Sequence, residues 1–169
     1  MNTRNLVKMA VYLALFFVLD LAANSFGFFQ MPQGGSLGLG VVPLVLASYD
    51  LGWKQGTLVA LLSIFLMFLT GQVWFVAFGQ YLLDYVLAFG IYGIATLFPT
   101  FKKKSSFPIM TGIIVTNGFR FLFSFMAGII YYGVKPWGSL LYQASYMIPT
   151  TILTFILVPL IYTRLRKVD

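Results

Sequence analysis

Long apolar stretches separated by short polar segments run along the whole sequence. A run of about 20 apolar residues is long enough to cross the hydrocarbon core of a bilayer as a helix. On this pattern we predict six spans, at 6–28, 37–47, 56–70, 74–98, 108–132 and 137–162. The second and third are short for a full crossing, so we expect them to be tilted or partial. The pattern predicts an all-α integral membrane protein with one domain over residues 1–169.

Composition supports the same fold class. Of the 169 residues, 60% are hydrophobic and 9% are charged, whereas a soluble domain carries about 25% charged residues. The net charge of +7 does not indicate nucleic-acid binding, because the basic residues border the apolar spans. We interpret the first apolar segment as a span and not as a cleaved signal peptide, because no small-residue cleavage site follows a short apolar region.

Basic residues are distributed unequally between the two sides that six spans define. One side holds nine lysines and arginines, and the other holds only Lys135. The nine are Arg4, Lys8, Lys54, Lys102, Lys103, Lys104, Arg164, Arg166 and Lys167. Since lysine and arginine accumulate on the cytoplasmic side of membrane proteins, we predict that both termini are cytoplasmic. The stretch 102–104 is then expected to be a solvated cytoplasmic turn.

Three charged residues interrupt the apolar spans: Asp20, Asp84 and Arg120. A charge within the bilayer is costly, so it usually faces the bundle interior or a wet cavity and marks a binding or transport site. Asp84 and Arg120 lie in neighbouring antiparallel spans at similar predicted depth, where they could meet and pair. Asp20 is expected to cap or pair structurally, and we rank it below Asp84 as a site residue.

Polar and aromatic residues near Asp84 predict a ligand pocket. Tyr85 follows the acid directly, and Gln80 lies one helical turn before it. A carboxylate beside aromatic rings suits a heterocycle that is cationic or donates hydrogen bonds, because the ring can stack while the acid accepts its N–H groups.

The sixth span adds further candidates on one helical face. Tyr142 and Tyr146 share that face, and Gln143 is polar and deeper than the span's edge. Trp137 lies near the membrane–water boundary, where an aromatic belt is the alternative explanation.

The sequence contains no cysteine and no histidine, and its four acids are too scattered to form a carboxylate metal site. No phosphate-binding loop or nucleophile motif is present. We therefore expect neither an enzyme nor a cofactor. A stand-alone small-molecule facilitator remains an alternative, but it would need a continuous polar path, and here the polar residues within the spans gather in one half.

Several stretches spread along the chain carry a resemblance to a known family. They are residues 31–36 (MPQGGS), 82–89 (LLDYVLAF), Arg120 with 127–128, and 144–149 (ASYMIP). In these stretches the sequence resembles the thiamine-transporter family of S components, the substrate-binding subunits of energy-coupling factor (ECF) vitamin transporters. Ala10 and Ala14, four residues apart in the first span, allow close helix contact and resemble the motif by which S components dock.

The resemblance implies an S-component-like bundle in a bacterial plasma membrane. A pocket near the outer face would lie between spans four, five and six. It would be covered by the loop between spans one and two, which comprises Met31, Pro32, Gln33, Gly34, Gly35 and Ser36. Implied partners are a vitamin ligand, a transmembrane coupling subunit that receives Ala10 and Ala14, and two cytosolic ATPase subunits.

The same resemblance leaves the vitamin open. The family's pocket acid, its neighbouring tyrosine and its basic residue are matched by Asp84, Tyr85 and Arg120. Ser124, however, stands where thiamine binders carry histidine. Gln143 replaces an asparagine, and an aromatic position falls on Gly138. Thiamine is the family's usual ligand, whereas a smaller hydroxylated ring, such as pyridoxal or pyridoxine, would suit Ser124 and Gln143.

Overall fold

A computed structural model describes residues 2–25, 31, 35–102 and 108–166. Six helices account for most of these residues. They are α1 (Thr3–Ser25), α2 (Val41–Leu51), α3 (Trp53–Leu69), α4 (Phe78–Leu97), α5 (Thr111–Ile130) and α6 (Pro136–Leu165). The predicted all-α membrane fold is confirmed, and each predicted span corresponds to one helix.

Four of the helices, α1, α4, α5 and α6, are long and apolar enough to cross a membrane. The other two are shorter, as their sequences predicted. With 11 residues, α2 rises only about 16 Å, roughly half of a hydrocarbon core. Every residue from Val41 to Ser48 is buried, so α2 is a central element surrounded by the longer helices. This explains why its sequence is apolar on all sides.

A short β-ribbon connects α4 to α5 where the sequence predicted only a basic turn. Strand β1 (Thr100–Lys102) pairs antiparallel with β2 (Pro108–Met110), with Thr100 opposite Met110. The Thr111 hydroxyl donates to the Pro99 carbonyl at 2.5 Å, which fixes the ribbon to the start of α5. Lys103 and Lys104 lie outside the described residues.

Large apolar side chains cover the outside of the bundle. On α1, for example, Val7, Val11 and Val18 are each more than half exposed. Lipid tails are as apolar as these side chains, so close packing between membrane helices depends on small residues and internal hydrogen bonds.

Glycines provide that close packing at the end of the bundle where α3, α4 and α5 meet. A Cβ at Gly56 would lie 2.6 Å from the Ser48 Cα, and a Cβ at Gly93 would collide with the Thr57 backbone. The Ser48 hydroxyl donates to the Gly93 carbonyl at 2.6 Å. This end of the bundle is therefore closely packed around backbone-to-backbone contacts.

The glycine contacts yield a prediction with a matched control. Gly93→Ala should destabilise the protein by about 1–3 kcal/mol because the new methyl group overpacks the contact with Thr57. Gly118→Ala is the control, since a Cβ there meets no atom within 4 Å and alanine favours a helix over glycine by roughly 1 kcal/mol. Thermal unfolding in detergent should show a lower midpoint for the first variant only. Equal midpoints would contradict the close packing at Gly93.

Candidate ligand-binding cavity

A cavity of about 280 Å³ opens between α1, α4, α5 and α6. The lining residues of α1 lie in its second half and those of α6 in its first half, so the cavity is at the end of the bundle opposite the N-terminus of α1. A separate cleft at the other end is lined by Arg4, Lys8 and Arg166. The cavity therefore lies away from these basic residues, on the side that the charge distribution predicts to be external.

Seven of the nine side chains predicted to bind the ligand line this cavity. They are Asp84, Tyr85, Arg120, Ser124, Tyr142, Gln143 and Tyr146. They come from three helices, α4, α5 and α6, as the sequence predicted. Gly138 lines the cavity as well.

The other two predicted residues have different positions. Trp137 is 69% exposed at the start of α6 and is not part of the lining. Gln80 is fully buried beneath the lining. Its side-chain amide donates to Asp84 Oδ2 at 3.0 Å, and its carbonyl oxygen accepts from the Val76 N–H at 3.2 Å. Gln80 thus orients the Asp84 carboxylate and does not reach the cavity itself.

Asp84 and Tyr85 lie in a π-helical segment of α4, Leu82–Leu87. Such segments are rare and often occur at functional sites, because the extra residue in the turn changes the direction of the side chains. The Tyr85 hydroxyl accepts from the Trp74 N–H at 2.8 Å, and its ring stacks on Tyr81 with centroids 5.7 Å apart. The segment thereby turns the acid and an anchored aromatic ring towards the same space.

Arg120 does not pair directly with Asp84, contrary to one expectation from the sequence. Within the described part of the chain, the direct ion pair is the one between Lys8 and Asp50. The Arg120 guanidinium lies over the Phe89 ring, 4.6 Å from its centroid, and Nη1 donates to the Tyr92 hydroxyl at 3.3 Å. Both partners follow Asp84 along α4, so Arg120 lies deeper than the acid. Its Nε is buried and has no hydrogen-bond partner among the described residues.

The polar groups of α6 form a connected network on the opposite wall. The Gln143 amide donates to the Ser124 carbonyl at 3.2 Å, and the Tyr146 hydroxyl donates to Gln143 Oε1. Gln143 is thus held between α5 and α6. Ser124 and Asp84 both line the cavity, so this network borders the same space as the acid.

The described part of the loop after α1 packs on α6. Gly35 and Ser36 line the cavity, and the Gly35 N–H donates to the Tyr142 hydroxyl at 3.3 Å. A Cβ at Gly35 would lie 2.7 Å from the Tyr146 ring, so only glycine allows this close approach. Met31 accepts a contact from the Ser145 hydroxyl through its sulfur at 3.7 Å. Pro32, Gln33 and Gly34 lie outside the described residues.

Several lining residues were not predicted from the sequence as ligand contacts. Among them are Asp20, Asn24, Gln72, Phe89, Tyr132 and Ser139. The i, i+4 spacing of Asp20 and Asn24 within an apolar helix was the one signal that could have indicated the contribution of α1. Tyr132 follows α5 and brings a phenol hydroxyl to the cavity wall.

Comparisons with known proteins agree with this architecture. The profile of the family described as thiamine transporter protein (Thia_YuaJ) matches residues 6–168. The chain is 28% identical over 183 residues to the thiamine transporter ThiT of Bacillus subtilis (strain 168), covering 97% of this chain and 94% of that protein.

A solved structure of ThiT from Listeria monocytogenes has a TM-score of 0.68 and 20% sequence identity, covering 99% of this chain and 97% of the other. At that identity the likeness establishes the fold alone. The family match includes nearly the entire sequence, and so the chain belongs to the thiamine transporter protein (Thia_YuaJ) family of membrane transport proteins.

Proposed function

We propose that this chain is the S component of an ECF-type importer and that it captures thiamine from outside the cell. The observation that carries the proposal is the cavity itself, in which the Asp84 carboxylate, Tyr85 and Tyr146 face one enclosed space. A cationic aromatic heterocycle needs this combination of an acid and ring surfaces. The similarity to the B. subtilis thiamine transporter supports thiamine as the first ligand to test.

The contacts around the cavity support a division of roles. One oxygen of the Asp84 carboxylate accepts a hydrogen bond from Gln80. The carboxylate can accept further hydrogen bonds from N–H groups of a ligand. Tyr85, Tyr142 and Tyr146 offer ring surfaces and hydroxyls. Gln143 has both ends of its amide engaged, so it acts mainly by holding Tyr146 in place.

A pyridoxal- or pyridoxine-type vitamin is the second candidate. Ser124 supplies a hydroxyl in the cavity wall, and Gly138 leaves the lining without a side chain at an aromatic position of the family. Both features favour a compact ring that carries hydroxyl groups. Calorimetry with thiamine and with pyridoxal on the same preparation decides between the two ligands.

The interior of the bundle favours an S component that works with partner subunits over a stand-alone facilitator. The large fully buried side chains of Phe16, Leu44 and Tyr92 fill the bundle beside the cavity. The glycine contacts leave no space between the backbones of α3, α4 and α5 at the opposite end. A facilitator needs a polar path through this region, whereas an S component needs only a site that its partners can reorient.

Ala10 and Ala14 are the proposed docking positions for the transmembrane coupling subunit. Both are exposed on α1, in the half of the helix away from Asp20 and the cavity. Small exposed residues four apart let a partner helix approach the backbone closely. Two cytosolic ATPase subunits complete the proposed importer, which would lie in the bacterial plasma membrane with both termini of this chain cytoplasmic.

The proposed contact between Asp84 and the ligand predicts that thiamine affinity depends on the charge of this side chain. Asp84→Asn retains the shape of the side chain and removes its charge. Losing a charge-assisted contact should weaken thiamine binding by about 1.5–3 kcal/mol, roughly ten- to a hundredfold. Isothermal titration of the purified protein measures this change. Tight binding of pyridoxal with no response to thiamine would instead assign the site to the second candidate. Unchanged thiamine affinity in the folded variant would remove Asp84 from the site.

The docking assignment predicts a separation of binding from uptake. Ala10→Trp combined with Ala14→Trp should leave the affinity of the isolated chain unchanged, because neither residue lines the cavity. The same variant should abolish vitamin uptake by cells that express the complete transporter, because tryptophan blocks close helix contact.

Leu61→Trp combined with Phe65→Trp is the matched control for docking. These residues have the same spacing and are exposed on α3, so uptake should persist. Equal loss of uptake in both double variants, or a parallel loss of affinity in the α1 variant, would refute the assignment.

A further inference from the structure

Asp20 is a charged residue of the cavity to which the proposed ligand site assigns no contact. It lies in the second half of α1, outside the three helices that supply the predicted site, and its side chain lines the same cavity as Asp84 and Arg120. Among the described residues, Asn24 Nδ2 makes a long contact with the carboxylate, 3.5 Å from Asp20 Oδ2, and is bonded at 2.8 Å to the Asp20 backbone carbonyl. The carboxylate thus retains capacity to accept from a ligand.

The charged side chains of the described lining do not balance. Two carboxylates, Asp20 and Asp84, face one guanidinium, Arg120, which leaves one formal negative charge. Arg120 donates a hydrogen bond to Tyr92 and stacks on Phe89, so neither contact is with a carboxylate. A surplus charge away from bulk water is costly, and a ligand with one positive charge would compensate it.

The formal charge of the lining also determines which ligand charges it can compensate. A phosphorylated vitamin would bring negative charge towards two carboxylates, with a single guanidinium to offset them. Pyridoxal carries no net charge near neutral pH and would leave the surplus uncompensated. The thiazolium ring of thiamine is a permanent monocation and leaves the occupied cavity neutral.

On the proposed function of this cavity as the vitamin site, we infer that Asp20 is a second ligand-facing carboxylate that makes the site selective for an unphosphorylated monocation. Asp84 receives the ligand from α4, and Asp20 faces it from α1. Asn24 and Gln72 line the cavity wall together with Asp20. Gln72 Oε1 is buried without a hydrogen-bond partner among the described residues, so it offers a further acceptor beside Asp20.

Removing the charge on Asp20 should reduce discrimination between a cation and its neutral isostere. The probes are thiamine and 3-deazathiamine, in which a neutral thiophene replaces the thiazolium ring. Asp20→Asn should weaken thiamine binding about ten- to a hundredfold and change the affinity for 3-deazathiamine by less than about threefold. Asp20→Glu retains the charge and should keep most of the preference for the cation.

Asp50→Asn is the matched control, because it removes the same charge from the opposite end of the bundle, where Asp50 pairs with Lys8. It should leave the ratio of the two affinities unchanged.

A proportional loss for both probes in Asp20→Asn would mean that Asp20 only maintains the structure, and the inference would be wrong. Unchanged thiamine affinity in Asp20→Asn, with the expected loss in Asp84→Asn, would overturn the inference and leave the proposed function intact. Absence of thiamine binding by the unaltered chain would overturn both.

Discussion

The cost of placing polar groups in hydrocarbon is the constraint on which this structure depends. Backbone and side-chain polar groups within the bilayer must find partners inside the protein. The apolar exterior of the helices meets that requirement on the lipid side. Inside the bundle, Arg120 is held by Tyr92 and Phe89, and Asp84 is held by Gln80. The cavity brings Asp20, Asp84 and Arg120, from three different membrane-spanning helices, to a common space.

The two ends of the bundle meet this constraint in different ways. Towards the basic end, glycines at positions 56, 93 and 112 bring backbones into direct contact. Towards the other end, α4 changes to π-helical geometry at Leu82–Leu87, and the helices separate around the cavity. The bundle is therefore closely packed at one end and opens around a cavity at the other.

Hydropathy predicted all six helices, because membrane spans are defined by length and apolarity, which the sequence displays directly. The site was predicted partly for the same reason: the charged residues at Asp84 and Arg120 were conspicuous in apolar segments. The partners of Arg120 were not predictable, because the estimate of depth counted residues from the span ends, whereas the contacts with Phe89 and Tyr92 depend on the direction of the side chain. Trp137 and Gln80 show the same limit, because whether a side chain lines a cavity, faces lipid or lies beneath the lining depends on rotation about the helix axis.

The contribution of α1 was the largest omission. Asp20 was expected to cap or pair structurally and was ranked below Asp84, and Gln72 and Arg120, which line the cavity with it, are distant in the sequence. Family membership did not supply this contact either, since the sequence identity to the B. subtilis relative is 28%. Ligand preference therefore has to be argued from the charges and shapes of this particular cavity.

A crystal structure of the chain purified and crystallised with thiamine tests the central claim most directly. The account predicts ligand density in the cavity between α1, α4, α5 and α6, within hydrogen-bonding distance of Asp84 and in contact with the Tyr146 ring. Density in the basic cleft at the opposite end, or an unoccupied cavity at saturating thiamine, would contradict it.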